Sequence, residues 1–204
     1  MALLSNANTL TRYRVEGKDD DISLESIREK LQHNRFPEIE DPAAVFTSGW
    51  TPFESHYLSD FSEKTIVFAN FILFCLRIDK KSVPSKILKK QMILETQKRL
   101  KESGKEFLSK NEKKALKEDL EASLLLRIPA SPNIYDLLWD MEKKEVYFFS
   151  SQKASNEEVE TLFTKTFGLH LIRIFPYTAA MHSKTLTDME KDRFTTLSPV
   201  RFSE

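Results

Sequence analysis

The hydrophobic pattern at the start of the chain predicts a strand followed by a helix. Residues 9–15 alternate in character, with Tyr13 and Val15 on one face and two arginines on the other. Ser23 suits the N-cap of a helix that would place Leu24, Ile27 and Leu31 on a single face. The pattern therefore predicts a β-α unit at this end.

A second group of strands is predicted between residues 49 and 78. The Gly-Trp-Thr-Pro-Phe sequence at 49–53 is typical of a short edge strand or a turn. Residues 65–78 form the most apolar segment, rich in β-branched and aromatic residues and too short to cross a bilayer as a helix. This segment is one long strand or two strands folded at Ala69-Asn70, and the pattern favours the hairpin.

Residues 83–128 predict two helices that form a hairpin. Pro84 is tolerated in a first helical turn, where Ser82 or Ser85 could provide the cap. A narrow apolar stripe with a seven-residue spacing follows, formed by Ile93, Leu100 and Phe107. Ser109 and Glu112 have the spacing of a capping box, and the helix that they open places leucines 116, 120 and 124 on one face.

The remainder predicts a β-hairpin, a helix and a final strand. Segments 134–140 and 145–150 are expected to pair around a turn at 141–144. Ser155 and Glu158 suggest a capping box, with Val159, Leu162 and Phe163 on the buried face of the helix and Gly168 at its C′ position. Residues 169–175 predict a strand, and the polar segment 181–204 predicts a weakly packed tail.

These elements predict an α+β fold. The body would be an antiparallel sheet in two similar halves, with a projecting Lys-rich helical hairpin. We expect a single domain over residues 1–204. Within it, 1–82 form the first αβ half, 83–128 the helical arm, 129–180 the second αβ half and 181–204 the tail.

Charge is strongly segregated along the chain. Residues 80–117 contain thirteen Lys or Arg and four acidic residues, which gives this window a charge of +9. Because the 204-residue chain has 31 basic and 31 acidic residues, the remainder carries −9. A positive arm on a negative body would attract polyanions at one end of the molecule.

The candidate DNA-binding residues lie in this basic window. Lys98, Lys101 and Lys105 are spaced to form a row on one helix face, beside a partly neutralising row of Glu95, Glu102 and Glu106. Lysine contacts phosphates as a point charge and does not read bases, so binding would be independent of sequence. The full candidate set is Lys89, Lys90, Lys98, Arg99, Lys101, Lys105, Lys110, Lys113, Lys114 and Lys117. The alternative is a solvated helical surface without a partner.

Other chemistry is weakly indicated. Four scattered glycines cannot build a phosphate loop, and no two histidines have the spacing of a zinc site. Cys75 is the only cysteine and lies in the most apolar segment, which favours a buried structural thiol and a reducing compartment. A metal-dependent nuclease would need two or three convergent carboxylates with a lysine nearby. The best candidates are Asp79, Asp136 and Asp140, but such groupings arise by chance in a highly charged chain. We expect no catalytic residue, no metal and no cofactor.

Several short motifs resemble the bacterial recombination-associated protein family RdgC. Order and spacing agree over roughly residues 10–178. The matching features are Tyr13-Arg14, the Gly-Trp-Thr-Pro run at 49–52, Val-Pro-Ser at 83–85, the Lys-rich stretch 110–117, Ser-Leu-Leu-Leu-Arg at 123–127, and Trp139-Asp140. The chain is expected to be a short member that lacks the C-terminal third of the family's longer proteins.

The resemblance implies a non-enzymatic protein that binds double-stranded DNA without sequence preference. It also implies a homodimer that encircles DNA, indirect competition with RecA, a cytoplasmic, nucleoid-associated location and no membrane contact. Some relatives carry an exonuclease label, which no residue pattern here supports. A sequence pI near 6.9 leaves open a relative that has lost DNA binding and serves as a protein-interaction or oligomerisation module. A metal-dependent exonuclease is the third hypothesis.

Overall fold

The computed structural model describes residues 3, 9–17, 23–37, 44–62, 64–183 and 185–196. The strands within these ranges are β1 (Thr11–Glu16), β2 (Phe46–Pro52), β3 (Val67–Phe68), β4 (Phe71–Lys80), β5 (Ser131–Asp140), β6 (Glu145–Phe148) and β7 (His170–Arg173). The helices are α1 (Leu24–His33), α2 (Ser85–Ser103), α3 (Lys110–Leu125), α4 (Lys153–Phe167), α5 (Pro176–Met181) and α6 (Asp188–Thr196).

The strands form one antiparallel sheet in the order β2-β4-β5-β6-β1-β7, and β3 also pairs with β4. Strands β4 and β5 pair along their whole length, from Phe71 opposite Asp140 to Lys80 opposite Ser131. Helices α2 and α3 are therefore an insertion at the end of a long β-hairpin. The α+β class and the antiparallel sheet are confirmed. Strand β1 lies between β6 and β7, so the two sequence halves interleave within the sheet.

Helices α1 and α4 bury their apolar faces against one side of the sheet. Ile27 and Leu31 of α1 belong to the same core as Phe163 and Phe167 of α4. The rings of Phe163 and Phe167 are 4.6 Å apart, and Trp139 packs edge-on against both. Edge-to-face aromatic pairs add to the stabilisation that comes from their large buried area. This aromatic layer fixes both helices on the sheet.

The outer edge of β2 is covered by the segment that follows α1. The backbone N–H of Phe36 donates to the carbonyl of Trp50 at 2.8 Å, and the N–H of Trp50 donates to the carbonyl of Asn34 at 3.2 Å. These bonds form a parallel bridge between Arg35 and Trp50, and a Cβ on the adjacent Gly49 would stand 2.5 Å from the Phe36 nitrogen and closer still to its Cα. Glycine at position 49 therefore permits the close approach of two backbones.

Most of the predicted elements are confirmed. The apolar segment folds as the β3–β4 hairpin, with Ala69 in the left-handed region at φ 52°. The Ser23 side chain accepts from the N–H of Ser26 and caps α1, and Gly168 ends α4 with φ 73°. The β5–β6 hairpin also forms as expected.

Three local expectations are wrong. Leu24 is exposed, because it lies in the first turn of α1, away from the sheet. Ser155 lies inside α4, whose N-cap is Gln152, and its hydroxyl donates to the Gln152 carbonyl. Neither Ser82 nor Ser85 caps α2, because Pro84 occupies the N-cap position. The polar tail contains α6, which is mostly exposed and lacks a clear apolar face, as a weakly packed extension would.

Candidate nucleic-acid interface

Helices α2 and α3 form an antiparallel hairpin, which we call the arm. Arg99 near the end of α2 contacts Asp119 of α3, while Lys105 in the connection contacts Glu112 near the start of α3. Gly104 adopts φ 66° and ends α2. The predicted capping box at Ser109 is confirmed, with reciprocal hydrogen bonds to Glu112.

The arm has a small apolar interior of its own. Leu88, Leu108 and Leu116 are buried, and none of them belongs to the core beneath the sheet. The predicted stripe of Ile93, Leu100 and Phe107 is wrong at its last member. Ile93 and the half-buried Leu100 lie on α2, but Phe107 lies in the connection between the helices, where it is 73% exposed. The seven-residue spacing failed because α2 ends before it reaches Phe107.

The ten candidate DNA-binding residues all lie on the arm. Five are on α2, namely Lys89, Lys90, Lys98, Arg99 and Lys101; four are on α3, namely Lys110, Lys113, Lys114 and Lys117. Lys105 lies beyond the end of α2, so the predicted helical row of Lys98, Lys101 and Lys105 is wrong at its last member. The nine lysines are exposed and Arg99 is half-buried.

Three of these cations are neutralised by neighbouring carboxylates. Arg99 and Asp119 approach to 3.7 Å, and Lys114 lies 3.8 Å from Glu118 in the next turn. Lys105 donates to Glu112 at 2.7 Å, and this hydrogen bond, with those from Ser109, lowers the pKa of Glu112 to about 2. The interhelix pairs hold the two helices together, so these cations are less available to a ligand.

The other seven cations form no ion pair within the described part of the chain: Lys89, Lys90, Lys98, Lys101, Lys110, Lys113 and Lys117. Lys90 and Lys101 are separated by eleven residues, about three helical turns, and share the outward face of α2. On α3, lysines 110, 113 and 117 are spaced three and four apart and form one row. The arm therefore carries two rows of lysines that form no ion pair with a described residue.

The carboxylates considered for a nuclease are each engaged elsewhere. Asp79 pairs with Arg77 at 2.6 Å. The backbone N–H of Lys143 donates to Asp140 and lowers the pKa of Asp140. Asp136 accepts from the backbone N–H of Leu3 at 2.8 Å. Among the described residues, no three His, Cys, Asp or Glu side chains are grouped so that they could hold a metal ion.

A row of buried polar groups crosses three strands of the sheet. Thr51, Cys75 and Asp136 lie opposite one another, and the Cys75 thiol donates to Asp136 at 3.3 Å. Burial raises the pKa of this thiol well above its usual range, which makes it a poor nucleophile. Nearby, burial lowers the pKa of His56. The expectation of a buried structural thiol agrees with this environment.

Sequence reasoning missed two exposed apolar residues on α2. Ile87 and Leu94 are 44% and 49% exposed, and their spacing of seven residues places them on one face. This face also carries lysines, which obscure the pattern. The same spacing in Ile93, Leu100 and Phe107 gives a longer series, so spacing alone ranks that series above Ile87 and Leu94, although Phe107 lies beyond the end of α2.

The fold and the arm define an α+β protein with a basic helical hairpin inserted between two central strands. Residues 8–189 match the family model described as "Putative exonuclease, RdgC", and the chain belongs to the RdgC family. Membership supports, at the level of the family, a recombination-related nucleoid protein. A search of curated protein sequences gives no match. Within the described ranges, no helix has the length and apolar character needed to cross a membrane.

Proposed function

We propose that this protein binds double-stranded DNA without sequence preference and acts in recombination control without catalysing a reaction. The observation that carries the proposal is the set of seven exposed lysines on the arm that form no ion pair with any described residue. A surface of this kind attracts phosphates and releases the counterions that surround DNA. Family membership supplies the link to recombination.

The side-chain chemistry favours phosphate contacts over base contacts. The seven unpaired cations are all lysines, while Arg99, whose guanidinium could read a guanine edge, is held by Asp119. Lysine lacks the planar fork that recognises a base bidentately. A duplex of any sequence should therefore bind with similar affinity. Through such occupancy of the duplex, the protein would compete indirectly with RecA.

A fluorescence anisotropy titration against salt concentration tests the proposal. With about four phosphates neutralised, the logarithm of the binding constant should fall against the logarithm of salt with a slope near −3.6. Two duplexes of equal length and unrelated sequence should give the same slope and closely similar affinity. Absence of duplex binding at low salt would refute the proposal.

A second proposal is self-association through α2, because Ile87 and Leu94 leave apolar surface exposed between lysines. We propose a homodimer in which these residues pack against a second copy; because Lys90 and Lys101 share this face, the α3 lysines would then carry the phosphate contacts. Light scattering should give twice the 23.8 kDa protomer mass. Leu94→Asp should reduce the mass to that of one protomer.

Asn111→Asp is the matched control for Leu94→Asp, since it adds the same charge at an exposed position of the arm, on α3, without removing apolar surface. This variant should remain dimeric. A protomer mass for the unchanged protein, or equal masses for the two variants, would count against association through Leu94.

A further inference from the structure

Phe107 is an exposed aromatic residue in the connection between the arm helices. It is 73% exposed, while the neighbouring Leu108 is 5% exposed and anchors the connection in the arm interior. Exposing a phenyl ring of this size to water forgoes the stabilisation that its burial would give. Neither phosphate binding by lysines nor the packing of the arm accounts for this ring.

The connection holds Phe107 in a defined place. Gly104 ends α2 in the left-handed conformation, and the Ser109 capping box fixes the start of α3. The hydrogen bond from Lys105 to Glu112 closes the connection on one side. With Leu108 buried beside it, Phe107 lies at the surface in a turn that is bounded by the two helix ends.

Lysines that form no ion pair with a described residue flank this turn on both helices. Lys101 lies in the last turn of α2, and Lys110 and Lys113 lie in the first turn of α3. Two exposed acidic residues, Glu102 and Glu106, also lie at this turn, so its positive charge is partly balanced. Phosphate contacts by these lysines would bring the turn to the edge of a groove, with the ring closest to the bases.

We propose that Phe107 inserts between adjacent base pairs of bound duplex DNA, unstacking one step and kinking the helix. This inference rests on the proposed DNA binding and adds a deformation of the DNA to it. Apolar side chains carried into a groove by basic elements act as wedges, because the unstacking that they cause is offset by added contact. Insertion of the ring needs no contact with particular base edges. It should occur most readily at pyrimidine–purine steps, because these steps unstack easily.

The test uses a duplex with 2-aminopurine at a central TA step and a second duplex with donor and acceptor dyes at its ends. Binding should raise the 2-aminopurine fluorescence and shorten the dye separation, in keeping with a bend of about 20–90°. Phe107→Ala should abolish both signals and weaken binding about fivefold or more, with an unchanged salt slope. Phe107→Trp should restore both signals.

Ile93→Ala is the matched control, since it removes an exposed apolar side chain from the flank of α2 and should leave both signals intact. If the duplex binds but neither signal appears, or if Phe107→Ala keeps them, the wedge is refuted while DNA binding stands. If Phe107→Ala instead halves the mass measured by light scattering, the ring docks on a second copy and the wedge is again refuted. Absence of duplex binding removes both proposals.

Discussion

Replacing Lys90, Lys101, Lys113 and Lys117 by glutamine is expected to weaken duplex DNA binding on the order of a thousandfold at about 0.1 M salt. The four lysines are exposed, two on each arm helix, and form no ion pair within the part of the chain that the structure describes. Each phosphate contact that is lost removes its share of counterion release. The plot of binding constant against salt should therefore become flatter, with its slope moving from near −3.6 towards zero. Anisotropy titrations at several salt concentrations measure both quantities.

A matched variant separates the effect of losing arm lysines from the effect of lowering the net charge. Lys30, Lys64, Lys165 and Lys191 lie outside the arm and form no ion pair with a described residue, and their replacement by glutamine changes the net charge by the same amount. This variant should keep the slope and lose less than about tenfold in affinity, because only long-range attraction is reduced. Equal losses in the two variants would show that the arm is not the binding surface.

The local elements could be predicted because their signals lie within a few residues. The alternation around Tyr13, the capping box at Ser109 and the glycine at 168 each fix a backbone conformation through neighbours in the chain. The position of β1 between β6 and β7 could not be predicted, since it depends on partners more than 120 residues away. Periodicity alone does not specify such long-range pairing.

The location of the candidate site could be predicted from the clustering of basic residues in the chain, but the arrangement of their side chains could not. All ten basic residues lie on the arm, as their clustering in the chain required. Which of them are neutralised depends on contacts between helices, such as Arg99 with Asp119, which are twenty residues apart. The apolar stripe failed because its heptad was extended through Gly104, a residue that ends α2. Treating that glycine as a helix end would have placed Phe107 outside the helix.

Gly49→Ala is expected to destabilise the protein by about 3 kcal/mol, at the upper end for an added methyl group in a packed site. The added Cβ would meet backbone atoms, with the Phe36 nitrogen at 2.5 Å and the Arg35 carbonyl carbon at 2.9 Å. Backbone atoms cannot rotate away as a side chain does. The segment after α1 would have to move away from β2, with loss of the hydrogen bond from Phe36 to Trp50. The melting temperature should fall by about 6–12 °C.

Gly168→Ala provides the control, because it tests backbone strain without a steric clash. Gly168 has φ 73°, and beyond its chain neighbours no described atom lies within 4 Å of the position that an added methyl group would take. The cost should therefore be that of the left-handed conformation, about 1–2 kcal/mol. The structure gives no positive φ at Gly49, so its cost is steric. Urea unfolding should rank Gly49→Ala as the less stable variant. The reverse order would mean that the segment after α1 does not pack closely against Gly49. The glycine in the Gly-Trp-Thr-Pro motif would then not be required by this contact.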